Sequence, residues 1–254
     1  LPYEEAISQF ETKLAPAETF YRTEMTPTRY NGGMLYGYYG VSHYSSLMSG
    51  AEYRFFTRLG CEIYARNVSF LYEPNPVTDA LLGVRYVVGK EVPADFGSVV
   101  EEKAGLSVLE RDSVLPPAYL VDCLVAEIPD EAKGFALQNE WALRAAGLWG
   151  EGLCVIDENG AVEEEAFARC MDLLSRGGLR DLAMKSEKGV YVLSGTLAAE
   201  KEGYLLVTFP QTHTQVWIDG EPVATEAFLG YLSRTSQPVK AGKYDVKIVV
   251  GGKE

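Results

Sequence analysis

Apolar residues recur at helical spacing over much of the first two thirds of the chain and at alternate positions in the last third. Ala6, Ile7, Phe10 and Leu14 predict a helix over Glu4–Leu14 that Pro16 stops, and Thr19–Met25 predicts a first strand. Ser45 or Ser46 is placed to cap a helix reaching Leu59, with Leu47, Met48, Tyr53, Phe55, Phe56 and Leu59 largely on one side and Gly60 ending it. A short helix follows over Pro76–Leu82, with proline in its first turn and Gly83 just beyond its end. Val84–Val88 and Ser107–Glu110 predict buried strands. Beyond Pro116 and Pro117, Ala118–Ala126 predicts another strand, and helices are predicted over Gln138–Ala146 and Val162–Ser175. In the second of these, Val162, Phe167, Cys170, Met171 and Leu174 share a stripe, and Gly177 and Gly178 close the helix.

From Gly189 the period becomes two. Val190–Leu193, Tyr204–Phe209, Gln215–Ile218 and Tyr244–Val250 predict strands; in the last, Tyr244, Val246, Ile248 and Val250 face one way, Asp245 and Lys247 the other. Asp219 and Gly220 suit the two positive-φ positions of a type I′ turn. The expected fold class is α+β. A mixed α/β unit over residues 1–112 is followed over 113–254 by an antiparallel, jelly-roll-like β-sandwich with helices inserted at about 130–183, and Ala118–Ala126 supplies one of its strands.

The densest chemistry lies between the first strand and the Leu59 helix. Tyr30, Tyr36, Tyr38, Tyr39, Tyr44 and Tyr53 sit among Asn31, Gly32, Gly33, Gly37, Gly40, His43, Ser45, Ser46 and Gly50. A tyrosine offers a flat apolar ring and a hydroxyl that needs a partner when buried, so this composition suits a surface that stacks and hydrogen-bonds a sugar. It equally suits an irregular core filled by tyrosines. The candidate ligand-binding set is Arg22, Tyr30, Asn31, Tyr36, Tyr38, Tyr39, His43, Tyr44, Ser45 and Ser46. Arg22 enters because a guanidinium could hold a phosphate or uronate; an internal ion pair is its other reading.

The formal charge of -13 argues against nucleic acid as a partner and against electrostatic docking on anionic lipid. No apolar run long enough to cross a membrane occurs in the chain. Cys61, Cys123, Cys154 and Cys170 are widely spaced, and with only His43 and His213 available no zinc site or other metal site is expected; free buried thiols are. No phosphate-cradling glycine loop and no Gly-x-Ser-x-Gly elbow occurs, so no cofactor and no catalytic residue is assigned. His43 with Ser45 or Ser46 is the one local pairing that hydrolysis could use, against a structural role for the histidine. Glu163, Glu164 and Glu165 could suggest a metal or acid–base site, but they stand where carboxylates complement a helix dipole.

An ordered series runs along the chain: Phe20-Tyr21-Arg22, Asn31, Met34, Gly37, Tyr39-Gly40, Tyr44-Ser45-Ser46, Leu82-Gly83-Val84-Arg85-Tyr86, Leu115-Pro116, Ala118-Tyr119, Gln138-Asn139 and Ile218-Asp219-Gly220. In this order and spacing it resembles the large extracytoplasmic region of YfhO-type bacterial membrane proteins, relatives of the GT-C glycosyltransferases. The chain departs from that pattern at Glu110-Arg111 and at His213-Thr214. The resemblance implies a region lying between membrane helices on the extracytoplasmic face, with those helices as partners in the full-length protein. It also implies a catalytic acidic residue outside this chain. Expected is an accessory domain that binds or positions a glycan or teichoic-acid-like acceptor and is non-catalytic by itself. The alternatives are a free-standing carbohydrate-binding module and a secreted hydrolase using His43.

Overall fold

The computed structural model describes residues 20–27, 31–42, 44, 50–61, 63–64, 69–70, 75–93, 95–187, 190–208, 214–223 and 236–250. The predicted helix over residues 4–14 and the predicted caps Ser45 and Ser46 lie outside them. Strand β1 (Arg22–Thr26), helices α1 (Gly32–Tyr36) and α2 (Gly50–Leu59), the short pair β2 (Ile63–Tyr64) and β3 (Ser69–Phe70), helix α3 (Pro76–Leu82) and strands β4 (Val84–Gly89), β5 (Gly97–Lys103) and β6 (Leu106–Arg111) come first. Strand β7 (Ala118–Val121), a 3₁₀ turn (Cys123–Glu127) and helices α4 (Gly134–Ala145) and α5 (Glu164–Arg176) follow. Strands β8 (Arg180–Glu187), β9 (Val190–Ala199), β10 (Gly203–Val207), β11 (Thr214–Ile218), β12 (Glu221–Pro222), β13 (Ser236–Val239) and β14 (Gly242–Val250) complete the order.

Local signals explain several of these elements. Asn75 is extended and its side chain accepts the Val77 and Thr78 N–H groups at 2.9 and 3.3 Å, starting α3; Gly83, at φ 68°, ends it. Asp219 and Gly220 take φ values of 51° and 83°, the positive pair the β11–β12 turn requires. Several boundaries differ from expectation, and the strand opening at Val190 runs on to Ala199 rather than ending at Leu193. The strand opening at Ala118 ends at Val121, because the Asp122 carboxylate accepts the Leu124 N–H at 3.0 Å and starts the 3₁₀ turn. Helix α4 begins a turn earlier than predicted, at Gly134.

The first sheet has the order β1-β4-β6-β5, with β1 parallel to β4 and the other pairs antiparallel. Strands β2 and β3 pair only with each other, and β7 to β14 make a β-sandwich: β13-β10-β7 on one side and β12-β11-β14-β9-β8 on the other. Between its sheets, Ala118, Leu205, Val207 and Val239 meet Leu193, Leu197, Val216, Val246 and Ile248. The predicted strands around Tyr204 and Tyr244 thus fall on opposite sheets of one sandwich. Strand β7, from before the helices, pairs with β10 in the register Tyr204↔Val121 to Val207↔Ala118.

The largest core cluster is built around the helices. Phe55, Phe56 and Leu59 of α2, Val77 and Leu81 of α3, Trp141 of α4 and Phe167 of α5 pack with Val87 and Leu109 of the first sheet and with Tyr119 and Leu206 of the sandwich. Alternation sends the neighbouring residues of the first sheet the other way. Val88 and Val108 join Met25, Leu106 and Tyr38 in a separate cluster, with Tyr36 and Tyr86 packed against it. The tyrosine-rich segment therefore caps a sheet face that would otherwise be open.

Candidate functional site

Residues 31–42 run along the outer edge of the first sheet as well as over its face. Strand β1 is at one edge, and its Thr23 N–H donates to the Tyr39 carbonyl at 2.8 Å, so loop backbone stands where a further strand would pair. Asn31, at φ 56°, opens α1, and Gly37, at φ 75°, closes it with its N–H donating to the Gly33 carbonyl at 3.0 Å. A Cβ on Gly33 would stand 2.7 Å from the Tyr38 carbonyl, so the glycine permits the return of the chain. Asn31 Oδ1 accepts the Tyr44 N–H at 2.9 Å and joins the two ends of the loop.

The underside is fixed by Glu24, which is only 1% exposed. Its Oε1 accepts the Val41 N–H and, at 2.7 Å, the Ser42 N–H; its Oε2 accepts the Ser42 hydroxyl at 2.8 Å. Burial pushes the carboxyl above its ordinary range, while these donors pull it back. Tyr38 is 6% exposed, and burial followed by the Glu24 charge drives its hydroxyl far above the usual phenol value. One tyrosine of the loop is thus core, and its neighbours are not.

Arg22 is 4% exposed, and its guanidinium donates to the Leu82 carbonyl and, at 2.9 Å, to the Thr208 carbonyl. It also lies 5.2 Å from the centre of the Phe20 ring. Burial lowers its pKa to about 10, with the Glu24 charge opposing. Arg22 therefore ties β1 to the end of α3 and to the segment after β10, and it does not present its charge to solvent. Tyr39 is half-buried between Phe20, at 5.1 Å between ring centres, and Tyr191 of β9, edge-on at 5.2 Å, so the loop also touches the sandwich. Burial and then Tyr191 raise its hydroxyl. Tyr36 and Asn31 are half-buried, and Tyr44 is 50% exposed. Tyr30, His43, Ser45 and Ser46 lie outside the described residues.

The structure adds residues that the sequence did not nominate. Tyr21 and Tyr86 meet edge-on at 5.2 Å, with the Arg85 guanidinium 5.8 and 5.4 Å from their ring centres. Arg85 pairs with Glu110 at 2.7 Å, and Tyr86, like Tyr36, packs against the cluster of Met25, Val88 and Val108. The signal for this group is the cross-strand register that sets Tyr86 opposite Glu110, which one strand's sequence does not contain.

Other residues of the ordered series are framework. Gln138 donates to the Leu59 carbonyl at 2.8 Å, and Asn139 Oδ1 accepts the Val155 and Ile156 N–H groups at 2.7 and 3.3 Å. Arg111 forms a buried ion pair with Asp79 at 2.7 Å and donates to the Asp95 carbonyl at 2.7 Å. All four cysteines are free; Cys170 is buried as expected, Cys61 is half-buried, and Cys123 and Cys154 are exposed. Gly152, Cys154, Asp157, Glu163 and Glu165 line part of a separate open cleft of about 380 Å³. Among the described residues no three His, Cys, Asp or Glu side chains are grouped to hold a metal ion.

A family model described as bacterial membrane protein YfhO matches residues 2–148, which include the tyrosine-rich loop, the first sheet and α4. No curated protein and no solved structure matches the chain. Among the described residues no helix is long and apolar enough to cross a membrane.

Proposed function

Because the chain belongs to the YfhO family of bacterial membrane proteins, we propose that it is an extracytoplasmic accessory region of a polytopic, glycosyltransferase-like membrane protein. In this reading it binds or positions a glycan or teichoic-acid-like acceptor beside the membrane helices and transfers no sugar by itself. The observation that carries the reading is the construction of the loop. Tyr36, Tyr39 and Tyr44 keep part of their rings at the surface, while Glu24, Asn31 and Tyr38 hold the backbone beneath them. A platform fixed before binding loses little entropy when a ligand stacks on it.

In this reading Tyr86, which packs against the same cluster as Tyr36, adds with Tyr21 and Arg85 two further rings and a cation, the side chain of Arg85 being 41% exposed. Arg85 takes the part first assigned to Arg22, whose guanidinium is turned inward. One tyrosine face contributes about 1 kcal/mol to a stacked sugar, so a polymer spanning several rings should bind better than a monosaccharide. The test is an array of cell-envelope glycans and teichoic acids probed with the chain and with a Tyr36→Ala/Tyr44→Ala double variant. Polymer binding that falls in the variant supports the reading. Undiminished binding removes these rings from it, and sugar transfer by the isolated chain overturns the non-catalytic role.

A further inference from the structure

Met34 and Leu35, on the outer side of α1, are 85% and 68% exposed, the most exposed large hydrophobic side chains among the described residues. They form the exposed tip of the loop, on a short helix bounded by Asn31 and Gly37. From Tyr30 to Ala51 the sequence contains no Asp, Glu, Lys or Arg, although such residues make up 23% of the chain. We propose that this tip enters the interfacial layer of a lipid bilayer, Met34 and Leu35 reaching the acyl boundary and Tyr36 and Tyr44 lying at headgroup depth.

Three physical considerations favour lipid over a protein partner. Two exposed side chains cover far less than the about 800 Å² per partner that a stable protein interface buries, whereas a bilayer adapts to a small apolar wedge. A segment without ionic side chains enters the interface with no charge to desolvate, and tyrosine is a residue of that layer. The charge of -13 is carried elsewhere on the chain and repels anionic headgroups, so an uncharged tip is the part suited to contact them. Membership of a membrane-protein family brings a bilayer within reach of the chain. The proposal does not rest on glycan binding.

The test uses the chain held by a polyhistidine tag on phosphatidylcholine vesicles doped with a nickel-chelating lipid. In Leu35→Trp the added emission should fall at least about twofold when the acyl chains carry bromine at a shallow position. Glu202→Trp, at an exposed site distant in sequence, should show no such loss. Adding Met34→Glu to Leu35→Trp should abolish the quenching while the circular dichroism spectrum stays unchanged. Equal Leu35→Trp emission on brominated and plain vesicles overturns the proposal. Concentration-dependent dimerisation that Met34→Glu abolishes, without quenching by lipid, also overturns it and assigns the tip to a second copy of the chain.

Discussion

Glu24 of β1 grips Ser42 twice, taking its amide at 2.7 Å on one carboxylate oxygen and its hydroxyl at 2.8 Å on the other. One buried side chain therefore sets the height of the tyrosine-rich loop above the sheet. Glu24→Ala should destabilise the protein by about 1–3 kcal/mol, the range for leaving buried donors without their acceptor. Hydrogen exchange should also speed up at Val41 and Ser42 before it does in β4. Unchanged protection at those two amides would show that the loop is held by other contacts.

The same carboxyl gives a pH dependence. Its folded pKa is raised above the ordinary 4.5, chiefly by burial, so the folded state retains the proton more readily than the unfolded chain. Its contribution is greatest below 4.5 and is lost as the pH rises through the folded value. Urea unfolding should therefore show the stability of wild type falling relative to Glu24→Gln across that window. Parallel profiles would contradict the assignment.

Arg111 and Asp79, 2.7 Å apart with side chains 2% and 0% exposed, lock β6 to α3. Removing one partner strands the other charge, so Asp79→Ala should cost about 3–5 kcal/mol in equilibrium unfolding. The Asp79→Leu/Arg111→Met pair should cost less than either single change. A double variant as unstable as the sum would exclude coupling between the two residues.

Tyr38 and Tyr44 separate folding from binding. Tyr38→Ala opens a cavity against Met25 and Val108 and should cost about 3–5 kcal/mol. Tyr44→Ala, at a half-exposed ring, should stay within about 0.5 kcal/mol of wild type and register in glycan binding instead. Thermal melts of both variants check the contrast.

The thiols differ in access. Burial pushes Cys170 up to about 11 and shields it, whereas Cys123 and Cys154 are exposed. A maleimide at neutral pH should label Cys123 and Cys154 in the native protein and reach Cys170 only after denaturation, as peptide mass mapping would read. Rapid native labelling of Cys170 would count against its place in the α5 core.

Sequence alone determined the elements whose instructions are local. Asn75, Pro76 and Gly83 bracket α3 within a few residues, Asp219 and Gly220 supply a turn by their own backbone preferences, and the stripe on α5 repeats at the helical period. The alternation near Tyr204 and Tyr244 was legible for the same reason, as was the strand at Ala118 that the sandwich lacked. Strand β5 was not legible, because Val99 and Val100 are both exposed at an edge and show no apolar alternation. Strand β8 mixes Arg180, Asp181, Lys185 and Glu187 with few apolar residues and takes its place only by pairing with β9. The loop divides in the same way. Its tyrosines announced an aromatic surface, but residues adjacent in sequence, Tyr38 and Tyr39, go to a core and to the sandwich. Arg22 was a candidate for solvent and became an interior strut, because its carbonyl partners on Leu82 and Thr208 are brought to it only by the folded chain. Period and capping are written within a few residues; burial depends on what distant segments place above a side chain, and tertiary structure decides it.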